Sequence, residues 1–116
     1  MTTKLRPIPL VQGIFFVTTG LWPIVHLRSF EAVTGPKVDK WLVRTIGGLI
    51  AAVGTALIAG AFEPRSSRAL RVLGIGSAAA LGLADIIYVA RGRISKIYLG
   101  DAVIEGGIVT AWIATE

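Results

Sequence analysis

Asp85, Asp101 and Glu105 stand in otherwise apolar stretches of a 116-residue chain, and His26, Arg44, Tyr88 and Tyr98 can be brought near them. These are the residue types that could do chemistry here. Asp85 and Tyr88 are three apart, and Tyr98, Asp101 and Glu105 follow a three-then-four interval that puts them on one face of a helix. Carboxyl groups in apolar surroundings can bind a cation, pass a proton or pair with a base, and left alone there they are costly. Arg44 is the only basic residue well inside an apolar stretch, so the pattern predicts a pair between Arg44 and Asp85 or Glu105. At least one acid is then left without a basic partner. The plainer expectation for the same residues is a staple that fixes helix register, with no catalytic role.

Four apolar runs must position these groups, at about 8–27, 41–62, 69–90 and 99–115. Each approaches the ~20 residues that a helix needs to cross a hydrocarbon core. The expected fold is all-α: an integral membrane four-helix bundle, antiparallel and up-down-up-down. A short interfacial helix is expected between spans 1 and 2. Two spans separate the first and third connections, so both lie on one side of the membrane, and the seven residues named above gather toward that side.

The composition agrees, with 53% hydrophobic residues, 16% charged residues and a mean hydropathy of +0.71, which is more apolar than a soluble domain of this size. One transmembrane domain, 1–116, uses nearly the whole length. With no cysteine in the chain, thiolate catalysis, disulfides and thiolate metal sites are excluded. Only one histidine is present, so bis-histidine haem is excluded too; a single-histidine pigment or haem ligand at His26 is a minor alternative to the expectation of no cofactor and no metal. The net charge of +5 sits in segments flanking the apolar runs, which points to anionic lipid headgroups and not to nucleic acid. Lys4, Arg6, Arg65, Arg68 and Arg71 oppose Arg28, Lys37, Lys40, Arg44, Arg91, Arg93 and Lys96, a narrow balance that favours loops 1 and 3 in the cytoplasm, with insertion in both orientations or an antiparallel homodimer as the alternatives. The amino-terminal Lys4–Arg6 followed by an apolar run has the outline of a signal peptide, but no small-residue cleavage pattern follows and the run continues to spanning length.

Along span 1, Gln12, Thr19 and His26 recur at seven-residue intervals beside Trp22, and Pro23 is expected to kink the helix near Thr19. Ser29 is the expected N-cap of the interfacial helix, Gly35-Pro36 its stop and Asp39 the cap of span 2. Trp22 and Trp41 read as interfacial anchors. Small residues at helical spacing, Gly48, Ala52, Ala56 and Gly60 in span 2 and Gly74, Ala78 and Gly82 in span 3, predict close helix packing, with Ile50, Val53 and Leu57 facing lipid or a partner.

The segment 29–43, and the Asp-x-x-Tyr of Asp85 and Tyr88 followed by the Tyr-x-x-Asp-x-x-x-Glu of Tyr98, Asp101 and Glu105, loosely resemble a group of small bacterial four-span membrane proteins of unknown function. That resemblance covers most of the chain and transfers no activity. The size is also similar to that of the small multidrug exporters, but their membrane-embedded glutamate lies in the first span, where this chain has Gln12, Thr18 and Thr19. Three functions follow as expectations. The first is a non-catalytic accessory subunit of a larger membrane complex in the bacterial inner membrane, held by lipids and by other subunits or itself. The second is a small proton- or cation-coupled transporter, and the third an acid/base enzyme acting on a lipid-like substrate.

Overall fold

A computed structural model describes residues 6–65 and 67–115 of the chain. Lys4, counted above in the charge balance, and Ser66 of the second connection lie outside them. Among the described residues there are five helices and no strand: α1 Pro7–Val25, α2 Leu27–Thr34, α3 Lys40–Ala61, α4 Arg68–Ala90 and α5 Tyr98–Ala114. Three of them, α1, α3 and α4, are long and apolar enough to cross a membrane. At 17 residues α5 is the shortest of the long helices.

The helices associate as two antiparallel pairs, α1 against α3 and α4 against α5, with much sparser contact between the pairs. The body is accordingly flat, about 50 × 28 × 18 Å. Glycine sets the spacing of the first pair. A Cβ at Gly13 would lie 2.6 Å from the Gly54 carbonyl oxygen, and one at Gly54 would lie 2.7 Å from the Gly13 carbonyl oxygen. Gly20 and Gly47 meet in the same reciprocal way one heptad along. Bare backbone at both crossings lets the helices touch, which in hydrocarbon supplies the van der Waals contact that drives association. The Arg6 N–H donates to the Ala61 carbonyl at 3.1 Å, and the Arg6 guanidinium bonds the carbonyls of Gly60 (3.1 Å) and Glu63 (2.8 Å), so the register is pinned at the end of the pair.

This corrects the small-residue stripe expected on α3. Ala52 and Ala56 are exposed, and a Cβ at Gly48 would meet only Ile24, at 3.8 Å. The buried stripe is Gly47, Ala51 and Gly54, with Leu57 fully buried instead of facing lipid. The glycines of α1 decide this, because their bare backbone lies directly against Gly47, Ala51 and Gly54. On α4, Gly74, Ala78 and Gly82 are buried.

At the first connection, His26 and not Ser29 caps α2: the Ser29 N–H donates to His26 Nδ1 (3.2 Å). Ser29 Oγ accepts from Trp22 Nε1 (2.8 Å) and donates to the His26 carbonyl (3.1 Å), so Trp22 docks α2 onto α1, with its ring edge-on to Phe30. Gly35, at φ +98°, ends α2 in a conformation that suits glycine. Asp39 precedes α3 without a side-chain capping bond.

Candidate functional site

Two polar regions join the helix pairs, one at each end. At the end where α1 begins and α5 finishes, Trp112 Nε1 donates to Gln12 Oε1 (2.7 Å), while Gln12 Nε2 donates to the Gly74 carbonyl (2.9 Å) and to Ser77 Oγ (3.3 Å). Gln12 is fully buried. A Cβ at Gly74 would lie 2.5 Å from the Trp112 ring, so the glycine makes the seat in which the indole rests. Arg71 Nη1 donates to the Trp112 carbonyl (2.9 Å). This knot ties α1, α4 and α5 together with both ends of the Gln12 amide engaged, the condition under which buried polar groups are tolerated.

At the other end, between the pairs, lies a cleft of about 710 Å3 lined by α1, α2, α3, α4 and α5. Asp85, Tyr88, Tyr98, Asp101 and Glu105 all reach it. Asp85 is 6% exposed and Glu105 1%, and Asp101 on α5 interacts with both carboxyl groups. Gly82 gives Glu105 its room, since a Cβ there would approach the Glu105 Cβ to 3.2 Å. Asp85 Oδ2 and Glu105 Oε1 are buried with no hydrogen-bond partner among the described residues. Three carboxyl groups on two facing helices, with oxygens left open, can be balanced by a bound cation or by protons that they exchange.

The structure therefore brings together five of the seven residues picked out by type and spacing, and leaves two outside. Arg44 is exposed on α3 and does not line the cleft; Leu42, Val43, Ile46 and Ile50 do. At 3.6 residues per turn Arg44 falls well round the helix from them. The expected Arg44–carboxylate pair is not formed; the one ion pair among the described residues joins Lys40 Nζ to Glu31 Oε1 at 3.7 Å. His26 is exposed, its Nδ1 committed to capping α2. Trp22 lines the cleft, whereas Trp41 stands 67% exposed.

The cation that does reach the cleft is Lys37, which no helix spacing pointed to. Its Nζ donates to the Thr34 carbonyl (3.0 Å) and lies 5.8 Å from the Phe30 ring centre and 5.0 Å from that of Tyr98. The segment that carries it is folded back by Glu31, whose Oε2 accepts the Lys37 N–H at 2.7 Å. That bond is the largest effect and, with the Lys40 and Lys37 charges adding, holds the half-buried Glu31 carboxyl below its ordinary pKa although desolvation opposes it. Among the described residues no group of three or more His, Cys, Asp or Glu has a metal-holding arrangement. No family model, curated protein or solved structure matches the chain.

Proposed function

We propose that this chain is a four-span integral membrane protein in which the acid cluster of α4 and α5 takes up and releases a proton or a small cation, as a coupled carrier does. The observation that carries the reading is the pair of buried, unpartnered oxygens of Asp85 and Glu105 facing a cleft beside Asp101. An intramembrane acid without a fixed cation is the usual element of ion and proton pathways. In this reading α5 is the fourth span: its 17 residues rise about 25 Å, within the range that crosses a bilayer after slight thinning or snorkelling at its ends. The excess of Lys and Arg in loops 1 and 3 supports their placement in the cytoplasm, with the protein in a bacterial inner membrane.

The natural absence of cysteine makes topology simple to test. Single cysteines at Val38 and Arg93 should label from one side of the membrane, and single cysteines at Arg65 and Thr115 from the other. In proteoliposomes loaded with a pH-sensitive dye, an imposed sodium or potassium gradient should move protons through the wild type and not through Glu105→Gln. Wild-type vesicles that discharge no ion gradient would sink the carrier reading.

A second reading, as an accessory subunit of a larger membrane assembly, is favoured by a different observation. Gly76, Gly106 and Gly107 are exposed, and a Cβ at any of them would meet nothing within 4 Å, so bare backbone on α4 and α5 is open to another helix. Native mass measurement after mild extraction separates the two: a large assembly of fixed stoichiometry supports the subunit, a monomer or dimer the carrier.

A further inference from the structure

We infer that the organic solute handled at this cleft is a lipophilic cation, a molecule with an apolar body and a positive centre. This deepens the carrier reading and rests on it. The cleft walls are almost entirely apolar, and six of the chain's nine aromatic residues line them: Phe15, Phe16, Trp22, Phe30, Tyr88 and Tyr98. Rings of this kind attract a cation through the electron density on their faces, more strongly where water is excluded. The carboxyl groups of Asp85, Asp101 and Glu105 share the same space. An apolar anion meets three acids there, and a neutral molecule leaves the open oxygens of Asp85 and Glu105 without compensation. A cation with an apolar shell satisfies both walls and acids. The volume of about 710 Å3 lies in the range of small-molecule sites, ~300–1,000 Å3.

The protein's own Lys37 shows the preference. Its ammonium already rests over Phe30 and Tyr98 at the loop-1 side of the cleft, on a flexible stem, and forms no ion pair with the three acids among the described residues. Lys37 is thus a tethered cation that shares the aromatic rings with the incoming one and repels it. Removing its charge should tighten binding, whereas removing a carboxyl charge should weaken it. A site that merely traps grease would respond to neither.

Tetraphenylphosphonium and tetraphenylborate, ions of one shape and opposite charge, are the probes, added to the full chain in detergent and followed by equilibrium dialysis. Saturable binding of the phosphonium and none of the borate is expected. Glu105→Gln and Asp101→Asn should bind it roughly tenfold more weakly or worse, and Lys37→Met severalfold more tightly. Circular dichroism establishes that each variant is folded, and Asp101, only half-buried, guards against failure of the Glu105 variant to fold. Equal binding of the two ions, binding unchanged in both acid variants, or no saturable binding by folded protein overturns the inference. So does displacement of the phosphonium by amine-headed phospholipid in mixed vesicles, which would assign the site to lipid headgroups. If the phosphonium fails to bind while cation-driven proton movement persists, only the solute class is wrong; if both are absent in the wild type, the carrier reading falls as well.

Discussion

The two ends of the molecule solve the same problem in opposite ways. At the end where α1 begins, one uncharged amide, Gln12, is completely buried and uses both its donor and its acceptor to hold α4 and α5. At the other end, the carboxyl groups of Asp85 and Glu105 are also buried and each keeps one oxygen without a hydrogen-bond partner among the described residues. Here the pairs are linked through Lys37, whose ammonium stacks on Tyr98, and through side chains bordering a cleft. Buried polarity that is fully bonded fixes a structure, while buried polarity left open has a cost that something outside the chain can relieve. The difference separates a clamp from a candidate site.

The largest effect that would break this contrast is at the clamp. Trp112→Ala should lower stability by about 3–5 kcal/mol, read as a fall in denaturation midpoint in detergent, because the indole fills the seat made by Gly74. Gln12→Leu keeps the volume and removes three hydrogen bonds, so a loss of about 1–2 kcal/mol is expected in the same measurement. At the open end Glu105→Gln and Asp85→Asn should leave stability within about 1 kcal/mol of wild type or raise it, while abolishing ion-driven proton movement in vesicles. A large stability loss there would make the acids structural and erase the distinction between the ends. The smallest effect belongs to Glu31. Its folded pKa is depressed, so the stability it lends to the α2 turn is present above the ordinary carboxylate pKa and is lost as pH falls through the folded value. Hydrogen exchange at the Lys37 amide should accelerate over that acid range in wild type and be fast at all pH values in Glu31→Gln.

Much of this architecture was legible from hydropathy and interval. The four apolar runs locate the long helices to within about two residues at most ends, and the spacing of Asp85, Asp101 and Glu105 places them together, because a helix carries its periodicity in its own sequence. What could not be read depends on partners far along the chain. Trp112 and Gln12 are 100 residues apart, and no local pattern singles out an apolar-looking tryptophan near the end as a hydrogen-bond donor. The α3 stripe was displaced by one residue because Gly47-Gly48 and Ala51-Ala52 are doublets that satisfy either phase; the choice is made by Gly13 and Gly20 on another helix. Arg44 misled for a related reason, since being alone in an apolar run says nothing of the direction it faces. Lys37 was missed because its place follows from a turn built by Glu31 and Gly35, with no helical interval to reveal it.

The meshing of Gly13 with Gly54 and Gly20 with Gly47 also bears on how the chain is made. The α1–α3 pair is complete once residue 61 has been synthesised, and nothing from α4 or α5 is needed to close its backbone seam. Polypeptides are built from the amino terminus, and units with internal contacts settle first. In the membrane reading proposed above, the first helical pair would mature as an independent hairpin while the second is still being translated. Gln12, carried by that first hairpin, would then be the docking post for the second, since its amide bonds reach both α4 and α5.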